Sequence, residues 1–293
     1  MNILDFNEYI INYDINTKMG HTYSNDIVSE IANHLDFPSR YCLLYVDRNM
    51  SSLISKILYK KEYADLMNEM CRFGYLNLLK WAISIGHELN IYDSGYSVKA
   101  SLGGHLEVLK WLKENGCEWI RSVCNSAASG GHLEVLKWAR ENGCNWSSFT
   151  CTTAAQNGHL DVLKWLRKNG CKWDICTFSS AAEGGHLEVL KWLIENKCEW
   201  NNWDSSICSK TALGGHLGVL KLLRKNGCIW DEKTCSNAAK GGHLEVLKWA
   251  VENGCDWDSE TCANAALNGH FEILKWAAFG APGTSARGNR KWM

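Results

Sequence analysis

The phrase GHLEVLK stands at 104–110 and returns unchanged at 131–137, 185–191 and 242–248. Near-copies fill 158–164 (GHLDVLK), 215–221 (GHLGVLK) and 269–275 (GHFEILK). Its histidines, His105, His132, His159, His186, His216, His243 and His270, follow one another at intervals of 27, 27, 27, 30, 27 and 27 residues. A fixed period of this length marks a stack of like supersecondary units, each leaning on its neighbours for a core. That pattern sets the fold and points away from catalysis, toward recognition by surface.

One full unit, 233–257, reads KTCSNAAKGGHLEVLKWAVENGCDW. Cys235, Ala238, Ala239 and Gly242 fall at i, i+3, i+4 and i+7, one face of a short helix with very small side chains. Cys151, Ala154, Ala155 and Gly158 repeat it, as do Cys262, Ala265, Ala266 and Gly269. Gly241-Gly242 ends the helix, because glycine enters the left-handed region of a tight turn at little steric cost. In the second helix Leu244, Val246, Leu247, Trp249 and Ala250 make an apolar face, while Glu245, Lys248 and Glu252 face water. Asn253-Gly254 stops it. The expected fold is all-α: an α-solenoid of stacked helix-turn-helix repeats joined by short loops.

Seven clear units run from Gly95 to Ala277. A degraded one precedes them in FGYLNLLKW (73–81), where Tyr75 takes the histidine's place and the unit serves as a cap. Lys197 replaces a glycine and Leu222 a tryptophan. Three extra residues near 201–205 account for the 30-residue interval and should bulge as a loop carrying Trp203. The expected organisation is a helical segment over 1–62, the array over 63–278 and a disordered tail over 279–293.

The 293 residues are 46% hydrophobic and 22% charged, with a formal net charge of −1. A nucleic-acid or anionic-membrane partner leaves a basic footprint, and none shows. No apolar stretch is long enough to cross a bilayer. The start, MNILDFNEYIINYD, lacks the basic flank and apolar run of a signal peptide, so a reducing intracellular compartment is expected. The expected molecule is a monomer.

Twelve of the fourteen cysteines follow the repeat. Cys117, Cys144, Cys171, Cys198, Cys228 and Cys255 lie before a tryptophan, and Cys124, Cys151, Cys176, Cys208, Cys235 and Cys262 lie in the first helices. No Cys-x-x-Cys pair suggests zinc, so they read as small core residues. Packed helices stand about 8–10 Å apart, too far for equivalent histidines to share one ion. Each histidine is expected to satisfy backbone groups in its own turn. No metal, cofactor or catalytic residue is expected, since no phosphate loop or nucleophile motif rises above the repeat.

The phrase GHLEVLKWLKENG (104–116) resembles the second half of an ankyrin repeat. The chain lacks the usual Thr-Pro-Leu-His and is six residues short of the usual period of about 33, so the projecting hairpin is trimmed to a loop. This Trp- and Cys-marked form is similar to the ankyrin-like arrays of giant DNA viruses of amoebae. The resemblance implies an interaction scaffold that binds proteins, here a viral protein acting on host proteins in the host cytoplasm or nucleus. Ahead of the array, DIVSEIANHLDFPSRYCLLYVDRNM (26–50) is similar to an F-box. That likeness implies docking to a Skp1-type adaptor of a cullin ubiquitin ligase through Ile27, Ile31, Leu35, Pro38, Leu43 and Leu44. The other reading of this segment is a helical cap of the solenoid.

In an array the constant positions build the scaffold and the varying ones can read a partner. The varying stripe of the first helices holds Lys99 and Leu102; Ser126 and Ser129; Phe149, Thr153 and Gln156; Glu183; Lys210 and Leu213; Lys233, Asn237 and Lys240; and Asn264 and Leu267. The stripe is mixed in charge and dotted with apolar residues, which suits a protein surface better than a polyanion.

Overall fold

A computed structural model describes residues 60–84, 89–92, 94–117, 121–200 and 204–279. The F-box-like segment, Trp203 and the tail over 280–293 lie outside them. Sixteen α-helices and no strand occur among the described residues. The chain divides into two compact units, one of residues 1–100 with 107–118, the other of residues 101–106 with 119–293.

In the first unit α1 (Lys60–Phe73) and α2 (Leu76–Ser84) form an antiparallel pair around Met70, Cys71, Leu79 and Ala82. Gly74 turns the chain at φ +77, and Tyr75 N–H returns to Met70 O at 2.9 Å. His132 makes the same bond to Ala127 O, so the degraded repeat keeps the turn although it lacks the histidine. α3 (Gly95–Gly103) and α4 (Leu106–Glu114) follow.

The second unit is an α-solenoid of stacked pairs. Its first helices are α5 (Ser122–Ser129), α7 (Ser148–Gln156), α9 (Ile175–Glu183), α11 (Ser205–Leu213), α13 (Glu232–Lys240) and α15 (Ser259–Leu267). Its second helices are α6 (Leu133–Glu141), α8 (Leu160–Lys168), α10 (Leu187–Glu195), α12 (Leu217–Lys225), α14 (Leu244–Glu252) and α16 (Phe271–Phe279). Consecutive first helices pack side by side. Their alanines make this possible: Ala127, Ala128, Ala154, Ala155, Ala181, Ala182, Ala238 and Ala239 are fully buried. Behind them the second helices bury Val135, Leu136, Val162, Leu163, Val189 and Leu190.

Aspartates cap the starts of several first helices and asparagines close the second helices. Asp174 accepts from Cys176 N–H at 3.0 Å and Thr177 N–H at 3.3 Å, and Asp231 caps α13 through Lys233 N–H at 3.1 Å. Such a cap contributes about 1 kcal/mol. At the other end the Asn142 amide returns to Trp138 O, and Asn169 to Trp165 O, both at 2.8 Å. The glycine after each asparagine is left-handed: Gly143 at φ +88, Gly170 at φ +81. Lys197 holds that position at φ +56 and is the one non-glycine residue with positive φ among the described residues.

The glycine before the histidine has a second duty in six of the seven units. A Cβ built on Gly131 (φ +76) would stand 2.6 Å from His159 Cε1, in the next repeat. A Cβ on Gly104 would stand 2.5 Å from His132 Nδ1. A Cβ on Gly143 meets nothing within 4 Å. Gly143→Ala should therefore cost only the left-handed strain, about 1–2 kcal/mol. Gly131→Ala should cost about 1–3 kcal/mol more from overpacking against the ring. Urea unfolding of both variants checks this, and equal losses would remove the steric role of the histidine. Lys197→Gly should raise stability by about 1 kcal/mol in the same assay, because the left-handed strain disappears.

Candidate functional site

The histidines reach across repeats rather than serving their own turn. His132 Nε2 lies 3.0 Å from Leu102 O, His159 Nε2 2.9 Å from Ser129 O and His186 Nε2 2.9 Å from Gln156 O. His216 meets Glu183 O at 3.1 Å, His243 meets Leu213 O at 3.0 Å and His270 meets Lys240 O at 3.0 Å. A carbonyl only accepts, so each ring carries its proton on Nε2. The histidine backbone stands at the N-cap of a second helix, and its ring lies on the bare Cα of the preceding repeat. Among the described residues no group of three or more His, Cys, Asp or Glu side chains could hold a metal ion.

The cysteines also pair in a way the sequence hides. Cys208 Sγ donates to Cys228 Sγ at 3.3 Å, both buried. Cys124 neighbours Cys144 and Cys151 neighbours Cys171 at the equivalent places, and Cys235 Sγ donates to Cys255 O at 4.0 Å. The bond to the partner sulfur and burial together push the first-helix thiols up, which keeps them protonated and poor nucleophiles. Cys176 departs from the set. It is exposed, and Phe178 two residues later fills the buried position, stacked on Trp200 with ring centroids 4.7 Å apart. Cys198 therefore has no thiol partner in that place, and burial pushes it up to about 11.

The tryptophans form a ladder: Trp146 meets Trp165, and Trp173 meets Trp192, edge to face with centroids 5.5 Å apart. Arg140 and Arg167 lie over Trp146 and Trp173 at 4.3 Å. These rings are scaffold.

What remains outward is the stripe of the first helices. Phe149 is 57% exposed, with Leu102 and Leu213 less open on the same stripe. Gln156, Lys210, Lys233 and Lys240 are exposed, and Lys99, Ser126, Ser129 and Asn237 are half-buried. Lys210 pairs with Glu183 of the preceding repeat, an ion pair open to solvent and worth at most about 1 kcal/mol. Two candidates turn inward instead. Thr153 Oγ1 donates to Asn125 O at 3.3 Å, and the Asn264 amide to Ser236 O at 3.4 Å. Ile175 and Cys176, both exposed in the first turn of α9, add to Phe149 two outward residues that the sequence pattern does not select. Ile175 occupies a position that reads Ser148, Ile175, Ser205, Glu232 and Ser259 along the array, and that variation was the available signal.

Burial lowers the basicity of His132 and His216 from the ordinary histidine value of 6.5. A lowered folded-state value means the unfolded chain binds protons first as pH falls. The stability these rings contribute is present above pH 6.5 and is lost on acidification below it. Urea midpoints should fall from pH 7 toward pH 5, and the double variant His132→Gln, His216→Gln should lose less over that range. An acid loss of the same size in the variant would refute the assignment.

Residues 152–234 match a family model of ankyrin repeats in three copies, and residues 235–278 match a second model of ankyrin repeats in many copies. Residues 152–278 thus carry ankyrin repeats. The solved structures that resemble the chain include the human ASB11 ankyrin repeat domain. It is 20% identical, with 56% of this chain and 84% of that chain covered and a TM-score of 0.45. A search of curated proteins returned no match. Among the described residues no helix is long and apolar enough to cross a membrane.

Proposed function

We propose that this chain is a non-enzymatic protein–protein interaction scaffold that takes a protein partner on the outward stripe of its first helices. The observation that carries this reading is Phe149. It is an aromatic side chain 57% exposed in the first turn of α7, at the position where α13 carries the charged Lys233. Aromatic residues exposed beside mixed charges are the usual anchors of protein interfaces. Gln156, Glu183, Lys210, Leu213 and Lys240 extend the patch, with Leu102 and Leu267 as outer apolar contacts. The mixed signs favour a protein over a nucleic acid.

Affinity purification from expressing cells tests the assignment. Phe149→Asp should reduce the captured partner at least tenfold, the size of a lost hot spot, with the circular dichroism spectrum unchanged. Lys210→Glu and Lys240→Glu should each weaken capture by a smaller factor. A partner captured equally by all three variants would place the binding face elsewhere.

A second reading concerns residues 26–50, whose sequence is similar to an F-box. In this reading Ile27, Ile31, Leu35, Pro38, Leu43 and Leu44 dock a Skp1-type adaptor and the repeats hold a substrate for ubiquitination. The resemblance to giant-virus arrays extends it to a viral protein working on host proteins in the cytoplasm, with the nucleus as the other compartment. Removal of residues 1–62 should abolish recovery of the adaptor while leaving the Phe149-dependent partner bound. An adaptor never recovered with the full chain rules the reading out.

A further inference from the structure

Cys144, Cys171, Cys228 and Cys255 each follow a first-helix cysteine by 20 residues, namely Cys124, Cys151, Cys208 and Cys235. Both members of every pair are buried. The sulfurs of Cys208 and Cys228 meet at 3.3 Å. A disulfide measures about 2.05 Å, so these two sulfurs stand about 1.2 Å outside bonding range. Three of the pairs carry an arginine ahead of the loop cysteine: Arg140, Arg167 and Arg224. Arg140 and Arg224 bind the carbonyl of that cysteine, and all three guanidiniums lie over the tryptophan that follows it. The neighbouring first-helix thiol, helped by the arginine, holds Cys144, Cys171 and Cys228 below the ordinary thiol value although burial opposes it. Each of these pairs thus holds one sulfur ready to ionise beside one that keeps its proton. The fourth pair, Cys235 and Cys255, has Val251 in the arginine's place. Phe178 fills the place where Cys198 would find a thiol.

We propose that Cys208 and Cys228 are a dithiol that hydrogen peroxide oxidises to a disulfide, stapling α11 to the end of α12, with Cys124–Cys144 and Cys151–Cys171 as further sites of the same modification. The Cys228 thiolate attacks one oxygen of the peroxide. The O–O bond breaks, a sulfenic acid forms, and hydroxide leaves to take up the proton Cys228 gave. The Cys208 sulfur then attacks the Cys228 sulfur, the S–O bond breaks, and the Cys208 proton leaves with the hydroxide as water. Two thiols and one peroxide give one disulfide and two waters. Exposed Ile229 follows Cys228 directly, so a local opening of this loop admits a molecule scarcely larger than water. The bridge restrains the unfolded chain by closing a loop within one repeat. Exchange with a reduced small thiol reopens it. The site lies inside the repeats, apart from the Phe149 stripe, so the two assignments stand or fall separately.

The test treats the reduced full chain with hydrogen peroxide, blocks the remaining thiols with N-ethylmaleimide in denaturant and maps the peptides by mass spectrometry. Exposed Cys176 is the accessible reference. A cross-linked peptide joining Cys208 to Cys228 is expected, and dithiothreitol should separate it. The melting temperature should rise on oxidation and return on reduction. Cys235–Cys255 should bridge about threefold more slowly than the three pairs with an arginine, and Cys198 should form no bridge within its repeat. Cys208→Ala should leave Cys228 as a sulfenic acid that dimedone traps, a product that a merely packed sulfur would not yield. Arg224→Val should slow the Cys208–Cys228 bridge about threefold. Val251 and Ile194 hold that position in α14 and α10, so this variant should fold and remains informative if Cys208→Ala is destabilised. The proposal is overturned if Cys208 and Cys228 are recovered as thiols once Cys176 is fully oxidised, or if they bridge only after the chain is unfolded in urea. It is equally overturned if neither substitution changes the fate of Cys228.

Discussion

The second unit hangs on one contact, the imidazole of each repeat laid flat against a glycine of the repeat before it. The contact does three things together. The ring occupies the space that only a missing Cβ can provide. Its Nε2–H satisfies the carbonyl near the end of the neighbour's first helix, a group a helix terminus otherwise leaves orphaned. Its backbone begins the second helix of its own repeat. Spacing, helix termination and helix initiation are thus tied to a single side chain, and the alanine faces can meet only because this joint sets their distance.

Phe149 and the other outward residues depend on that joint without taking part in it. The carbonyls of Leu102, Ser129, Gln156, Glu183, Leu213 and Lys240 hold histidines, while their side chains remain at the surface. The same residue therefore serves the scaffold through its backbone and offers chemistry through its side chain. Such a position can change identity freely, because the hydrogen bond it makes does not involve its side chain. That explains why the stripe varies while the Gly-His step is the same in all seven copies.

Most of the architecture was legible in the sequence because its signals are local and repeated. Periodicity placed the helices, and the glycine pairs and the Asn-Gly steps placed the turns. What stayed hidden was contact across repeats. The histidine was expected to serve its own turn, since nothing in a one-dimensional pattern shows that it reaches back to a carbonyl 30 residues away. Cys176 falls among the small core cysteines in sequence because it lies near the right place. The structure puts Phe178 there instead, and a two-residue offset decides which face a helical side chain occupies. Thr153 and Asn264 are polar and variable and so look outward in sequence, yet each bonds a backbone carbonyl of the preceding first helix.

The loop before α11 is longer than its equivalents, yet the joint that follows it is intact. His216 meets Glu183 O across 33 residues of chain, where its counterparts span 30. Chain length between joints is therefore not what positions the repeats. A gene encoding such a protein can gain or lose a whole unit by unequal recombination, and the flanking units will still find a glycine, a carbonyl and a ring of the right kind. Lengthening or shortening the array then adds or deletes one row of outward side chains. New specificities arise by rearrangement as well as by point substitution, with the interior left untouched.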